Sequence, residues 1–293
     1  MMKTLLVLLL CCPSPARSAP EHLVEKARME AFYSPYNLAV TAQLEGRLGD
    51  ACALFANAVE GARKLNIYGW QEFRALLSLG SAYHARRDLK RAEKYYLEGM
   101  HYFKMANQEL GTTGLSGLGR IYLDRGLPEK AAPLLKEARD IEFKESGKKG
   151  DLTAVAAAMS DLARLDELQG DRKKAEFRYL MALKMLGPEN RPAFPAGLDA
   201  EQMDCYPIIL YRLGELNRRG GDAAAARARF EKALEAFSLW SGAEARPALK
   251  ARKLEYRSHT LRALGRAAEA AADQKESARL YKQVSAVRTA QGE

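Results

Sequence analysis

Residues 118–138 read LGRIYLDRGLPEKAAPLLKEA, and variants of this stretch recur along the chain. A leucine and a small residue precede an aromatic or apolar position and then a turn, and an alanine stands five residues after the turn. Apolar residues three and four positions apart share one face of a helix, so each half of the stretch is predicted to be an amphipathic helix. The recurring unit is therefore predicted to be two helices joined by a tight turn.

The turn position occurs six times. Glycine fills it in five copies and supplies the left-handed backbone that ends a helix. The six residues are Gly46, Arg87, Gly126, Gly170, Gly221 and Gly265. An aspartate follows three of them directly, at Asp88, Asp171 and Asp222, and is predicted to cap the next helix.

This pattern resembles the tetratricopeptide repeat, a helix–turn–helix unit, over roughly residues 32 to 282. Successive copies are 39 to 51 residues apart, whereas the standard unit has about 34. No copy has the tryptophan that the family places near the start of the first helix. The resemblance implies an all-α, right-handed α-solenoid of stacked helix–turn–helix repeats with longer than standard helices. It also implies a curved surface that binds other proteins.

The chain is predicted to divide into segments around these repeats. Ser34 and Pro35 are predicted to start the first repeat, as a cap followed by proline at the first helical position. Arg257, Gln274 and Ser277 stand where the last copy should have core residues, so this copy is predicted to be a polar capping repeat. The segments are a signal peptide (1–18), a leading helix (19–34), repeats one to four (35–186), a Pro/Gly loop (187–202), repeat five with the capping repeat (203–288) and a tail (289–293).

The first residues have the pattern of a secretory signal peptide. Lys3 precedes an apolar stretch from Thr4 to Cys12, which is too short to span a bilayer. Residues 16–18 fit a small-x-small cleavage site, so cleavage is expected after Ser18, followed by residence in the periplasm or secretion. An uncleaved anchor and lipid attachment at Cys11 or Cys12 remain alternatives.

No motif for catalysis or cofactor binding stands out. There is no phosphate-binding loop, and a glycine-rich run at Gly111, Gly114, Gly117 and Gly119 falls in a predicted helix. Gly119 is expected to serve packing, whereas Gly114 and Gly117 are expected only to weaken the helix. The four histidines do not pair with another histidine or a cysteine at ligand spacing. We therefore predict no enzyme activity, no cofactor and no metal.

The family's groove positions, carried over to this chain, predict a binding surface on the first helices of the repeats. Arg120 and Arg164 occupy equivalent places on adjacent repeats, so their guanidinium groups could bind carboxylates of an acidic partner segment. The alternative is that they are solvated or paired with Glu109, Asp124 and Glu167. The predicted groove residues are Arg74, Leu77, His84, Arg120, Arg164, Tyr211 and Arg218.

Two functions remain open from the sequence. The first is a non-catalytic scaffold or adaptor in the cell envelope that binds another protein and takes no small-molecule substrate. The second follows from the formal net charge of +9: a basic module that docks peripherally on anionic lipid, lipopolysaccharide or nucleic acid.

Overall fold

The structure is a computed structural model that describes residues 21–64, 69–103, 111–149, 152–186, 205–239 and 246–285. The predicted signal peptide, Pro/Gly loop and C-terminal tail lie outside these residues. Within them the chain forms twelve α-helices and no strand. The helices are α1 (Glu21–Leu44), α2 (Leu48–Lys64), α3 (Trp70–Ala85), α4 (Leu89–Phe103), α5 (Gly111–Asp124), α6 (Pro128–Lys149), α7 (Thr153–Leu168), α8 (Arg172–Met185), α9 (Cys205–Arg219), α10 (Ala223–Leu239), α11 (Pro247–Ala263) and α12 (Ala267–Ser285).

These helices form six consecutive pairs, from α1 with α2 to α11 with α12. The two helices of each pair pack on one another, and each pair also packs on the next. One pair cannot bury its apolar face alone, so the pairs stack in series and share a continuous core. The predicted all-helical solenoid of helix–turn–helix units is confirmed.

The tight turn inside every pair has the predicted left-handed backbone. The φ angles are +73° at Gly46, +62° at Arg87, +69° at Gly126, +78° at Gly170, +84° at Gly221 and +78° at Gly265. Glycine adopts this conformation without steric cost, but a residue with a Cβ does not. Arg87 is the one exception among the six turns, at a cost of about 1 kcal/mol.

The aspartates after three of the turns cap the second helices, as predicted. A side-chain oxygen of Asp88 accepts a hydrogen bond from the backbone N–H of Arg91 at 3.1 Å. Asp171 does the same for Lys174 at 3.1 Å, and Asp222 for Ala225 at 2.9 Å. Each cap satisfies one donor that the first helical turn leaves free.

Small residues let the helices approach closely. A Cβ at Gly119 would lie 2.5 Å from Leu135 Cδ2. The expectation that Gly114 and Gly117 only weaken α5 is wrong. A side chain at Gly114 would collide with Met100, and one at Gly117 with the ring of Tyr96. Glycine is required at both positions because α4 of the preceding pair leaves no room for a Cβ.

Replacing Gly214 in α9 by alanine tests this close packing. The new Cβ would lie 2.5 Å from Cε1 of the buried Phe230 ring. Overpacking a core typically lowers the free energy of unfolding by about 1–3 kcal/mol, whereas the better helix propensity of alanine raises it by about 1 kcal/mol. We expect a net loss of up to about 2 kcal/mol in the free energy of unfolding, measured by urea titration.

Gly220, just after α9, gives the matched control. An alanine there meets only the guanidinium end of the exposed Arg172 side chain, which can move away. Gly220→Ala should therefore leave the free energy of unfolding within about 0.5 kcal/mol of the wild type. Equal effects of the two substitutions would contradict the packing argument.

The start of the first pair differs from the prediction. Ser34 and Pro35 do not begin a helix, because α1 continues through Pro35 from Glu21 to Leu44. Phe32 and Tyr36, one turn apart, are both buried and stack with ring centroids 5.6 Å apart. Burial of this aromatic face on α2 outweighs the backbone hydrogen bond that proline cannot donate.

An ion pair replaces an aromatic contact within the fourth pair. In the second pair Tyr83 stacks on Tyr95, with ring centroids 5.5 Å apart and an interplanar angle of 9°. The equivalent residues of α7 and α8 are Asp166 and Arg178, and Arg178 Nη1 lies 2.6 Å from Asp166 Oδ2. Asp166 is buried, so its carboxylate depends on this one guanidinium for charge compensation.

The last pair carries polar residues at its internal positions as well as on the exposed face of α12. Arg257 forms a two-point ion pair with the buried Asp273, with both N–O distances at 2.6 Å. Ser277 is buried and donates to the carbonyl oxygen of Ala251 at 2.7 Å. Polar residues stand at core positions here because they satisfy each other between α11 and α12. Helix α12 also contacts α2 of the first pair.

Candidate functional site

The concave side of the stacked pairs encloses a cavity of about 1090 Å³, called the lumen below. Residues of α1, α3, α5 and α7 line one side, so the first helices of the first four pairs face it. Residues of α11, the preceding Arg246 and Tyr281 of α12 line the other side. The lumen is therefore bounded by both ends of the described chain.

Five of the seven residues predicted from the groove positions line the lumen. They are Arg74, Leu77, His84, Arg120 and Arg164. Tyr211 and Arg218 instead line a separate depression of about 420 Å³, together with Glu215, His259 and Arg262. The first helix of the fifth pair thus packs on α11 and lines this depression instead of the lumen, which sequence spacing did not indicate.

The charge of the lumen is strongly positive. One carboxylate, Asp124, and one histidine, His84, lie among the lining residues. Six arginines line it: Arg74, Arg87, Arg120, Arg164, Arg246 and Arg252.

Three of these arginines are already paired within the protein, and the first of them, Arg87, pairs with Glu255. Arg164 Nη2 lies 2.7 Å from Asp124 Oδ1, which is one of the partners that the sequence suggested. Arg120 Nε lies 2.6 Å from Oδ2 of Asp161, which the sequence did not suggest. The strip of available guanidinium groups expected at positions 120 and 164 is therefore largely neutralised.

Asp124 stays ionised at the junction of α5 with its neighbours. Burial disfavours its charge, but the hydrogen bond from His84, at 3.1 Å, and the nearby Arg164 outweigh burial. Together they hold the pKa of Asp124 well below its usual range. The one lining carboxylate is thus compensated by Arg164 and hydrogen-bonded to His84, so it contributes little free negative charge.

Three lumen arginines have no carboxylate partner among the residues that the structure describes: Arg74, Arg246 and Arg252. Arg74 donates a hydrogen bond to Tyr36 Oη at 2.9 Å, and its guanidinium lies 4.9 Å from the centroid of the Tyr36 ring. Sequence reasoning missed Arg246 and Arg252 because it assigned the last repeat to capping. The helical spacing of Leu249, Arg252 and Tyr256 was the available signal for a shared face.

The pKa of the Tyr256 phenol is lowered by the positive charges at this side of the lumen. Burial raises its pKa, but the charges of Arg212, Arg252 and Arg164 outweigh burial, and the pKa is lowered. Arg212 Nη2 lies 3.4 Å from Tyr256 Oη. A site that stabilises a buried phenolate also favours other anionic groups.

The described residues hold no group of His, Cys, Asp and Glu side chains that could bind a metal ion. Over the same part of the chain, each helix is too short or too polar to cross a bilayer. Cys52 is a buried core residue, and burial raises the pKa of its thiol. Neither Cys52 nor Cys205 is in a disulfide among the described residues.

Residues 75–101, which run from α3 into α4, match the family model of the tetratricopeptide repeat. The chain is a solenoid of tetratricopeptide-like repeats. Each helix pair described above has the same helix–turn–helix architecture and is called a repeat below, and the first helices of repeats one to four face the lumen. No curated protein matches the sequence of this chain significantly.

Three solved structures share this architecture at low sequence identity. A Rap protein complexed with Competence and Sporulation Factor has a TM-score of 0.58 at 14% identity, covering 88% of this chain and 77% of its own. TPR-like repeats of a putative kinesin light chain from Podosopora anserina give 0.53 at 17% identity, covering 73% and 95%. BtubC from P. vanneervenii gives 0.50 at 21% identity, covering 83% and 94%. At these identities the likeness establishes the fold alone.

Proposed function

We propose that this protein is a non-catalytic adaptor of the cell envelope whose lumen binds an acidic polypeptide segment of another protein. The observation that carries the proposal is the set of three arginines, Arg74, Arg246 and Arg252, that line one cavity without carboxylate partners among the described residues. The envelope location rests on the signal-like sequence of residues 1–18.

The lumen offers both charge and apolar contact to such a segment. Arginine binds carboxylates through a planar fork of donors, and the low local dielectric strengthens the attraction. Val40, Leu44 and Leu89, whose side chains are at least partly exposed, add apolar surface to the same lining. This combination suits a polypeptide that carries both acidic and apolar side chains.

The size of the lumen also favours a polypeptide over a small ligand. Its volume of about 1090 Å³ exceeds the upper end of the roughly 300–1,000 Å³ usual for small-molecule sites. A binding role suits the solenoid, in which repeats create extended concave surfaces.

Docking on an anionic lipid surface is less well supported. Such a surface contacts the outside of a protein, whereas the unpartnered arginines line a concave cavity between the repeats. The basic side chains of the outer helices are often paired locally, as Arg227 is with Glu231 and Arg279 with Glu276. Anionic vesicles therefore serve as a comparison in the binding test.

Charge reversal inside the lumen tests the proposed function. The probe is a short fluorescein-labelled peptide of alternating glutamate and leucine, and its dissociation constant is measured by fluorescence anisotropy. For Arg74→Glu/Arg252→Glu we expect binding at least about tenfold weaker, because two attractive charges become repulsive. The wild-type affinity should also fall as salt is raised.

A double variant on the outer surface is the matched control. Arg227→Glu/Arg279→Glu makes the same change in net charge at two well-exposed positions of α10 and α12. It should keep the wild-type affinity for the peptide. The proposal fails if both double variants weaken binding equally, or if the wild type binds anionic vesicles and not the peptide.

A further inference from the structure

Arg87 differs from the other five turn residues in having a side chain. That side chain leaves the second repeat and reaches the last repeat, 168 residues further along the chain. Its Nη2 lies 2.5 Å from Glu255 Oε2 in α11, and its guanidinium lies 5.2 Å from the centroid of the Tyr281 ring in α12. Tyr281 Oη donates to the same Glu255 oxygen at 3.0 Å. Arg87, Glu255 and Tyr281 are called the latch below.

The latch is part of a wider contact between the two ends of the solenoid. Helix α12 packs on α2, and Pro247 approaches the first turn so closely that a Cβ at Gly46 would lie 2.8 Å from its Cδ. Every repeat also packs on the next one. The contacts of the six repeats therefore close into a ring around the lumen.

We propose that the ring admits only polypeptide segments that have a free end, so the partner offers an acidic chain terminus or a short acidic peptide and not an internal loop. This inference rests on the proposed function, because it specifies the occupant of the same lumen. A segment with folded structure on both sides cannot thread through a closed ring. It can enter only sideways, where the first two repeats meet the last one.

The composition of the latch suits a contact that can open. The side chain of Arg87 is 62% exposed and that of Glu255 is 29% exposed, so their ion pair contributes little stability. Burial and the charge of Glu255 raise the pKa of Tyr281 to about 12, so its phenol keeps its proton and continues to donate at neutral pH. Because this contact is weak and specific, it can control how often the ring opens. The packing between neighbouring repeats does not depend on it.

The turn provides a variant that removes the latch without disturbing the fold. Arg87→Gly places glycine where the other five turns have it, and the φ of +62° is more favourable for glycine than for arginine. The contacts to Glu255 and Tyr281 are lost with the side chain. Far-UV circular dichroism should show that the helical content is unchanged.

The experiment compares one acidic sequence in three settings. The alternating glutamate–leucine peptide is presented free, as the C-terminal tail of a folded carrier protein, and as a loop inserted between two strands of the same carrier. Wild-type protein should bind the free peptide and the tail with similar affinity, and the loop at least about tenfold more weakly. Arg87→Gly should raise the ratio of loop affinity to free-peptide affinity by about two- to fivefold, since the ratio cancels the loss of one lumen charge that both ligands experience.

Each outcome decides between the two proposals. Equal binding of loop and free peptide by the wild type would overturn the free-end inference and leave the proposed function standing. If Arg87→Gly binds the loop as weakly as the wild type does, the latch does not control entry into the lumen. If the wild type binds the sequence in none of the three settings, the proposed function fails as well. Small-angle X-ray scattering gives a readout independent of ligand, because opening the ring should increase the radius of gyration of Arg87→Gly.

Discussion

Tyr179→Ala is expected to lower the free energy of unfolding by about 3–5 kcal/mol, the range for removing a buried aromatic side chain. Tyr179 of α8 is completely buried between the fourth and fifth repeats, where it packs with Ala163, Ile209 and Leu213. The substitution leaves a cavity that rigid helices on both sides cannot close. It also removes the hydroxyl that donates to Glu167 Oε1 at 2.5 Å.

Phe177, two residues earlier on the same helix, is the matched control. Its side chain is 63% exposed, so Phe177→Ala should change the free energy of unfolding by no more than about 0.5 kcal/mol. Urea titration followed by circular dichroism measures both variants. A solenoid can lose its repeats separately, so hydrogen exchange should also show weakened protection concentrated in α7, α8 and α9. Similar losses in the two variants would contradict the assignment of Tyr179 to the core between repeats.

Arg178→Met is expected to have a comparably large effect for an electrostatic reason. It leaves the buried carboxylate of Asp166 without the guanidinium that lies 2.6 Å away. Breaking one partner of a buried ion pair typically costs about 3–5 kcal/mol, because the remaining charge stays desolvated. The free energy of unfolding at neutral pH, from urea titration, checks this value.

The double variant Asp166→Leu/Arg178→Met tests whether the loss of stability comes from the stranded carboxylate of Asp166 or from the missing packing of the Arg178 side chain. It differs from the single variant only in removing the stranded carboxylate. Replacing a buried ion pair by apolar side chains of similar volume is often neutral or stabilising. We therefore expect the double variant to lie within about 1 kcal/mol of the wild type. A double variant as unstable as Arg178→Met would show that Asp166 is not the source of the loss.

The pH dependence of Arg178→Met gives a further check. In the native protein, burial already raises the pKa of Asp166, against the opposing charge of Arg178. Without Arg178 the native pKa rises further, while the unfolded carboxyl keeps its ordinary value near 3.8. A raised native pKa means that the native state binds the proton more tightly. The penalty is thus present at neutral pH and is relieved as pH falls through the raised pKa toward 3.8.

The internal repeat was sufficient to predict the fold. Leucine, a small residue and an aromatic position before each turn, and an alanine five residues after it, specify two amphipathic helices with a fixed connection. Because each pair is too small to bury its apolar face, the sequence also implies stacking in series. The left-handed turns and the aspartate caps were predictable for the same reason, since they depend only on neighbouring residues.

Several contacts could not be predicted because they join residues on different helices, and the packing of those helices decides which side chains meet. Asp166 departs from the repeat pattern, and only the packing of α7 on α8 shows that Arg178 compensates it. Arg120 pairs with Asp161 because the third and fourth repeats place them side by side. Pairing of charges depends on the twist between repeats, which a single sequence does not specify.

The sequence by itself determined the helices, their turns and the order in which the repeats stack, because these follow from interactions among residues within one or two helical turns or one repeat. Only the tertiary structure decided that the last repeat meets the first two and that Arg246 and Arg252 complete the lumen. The physical reason is that small rotations between successive repeats add up over the whole chain. Their sum places Arg87 beside Glu255 and Tyr281, although no local pattern in the sequence connects these residues.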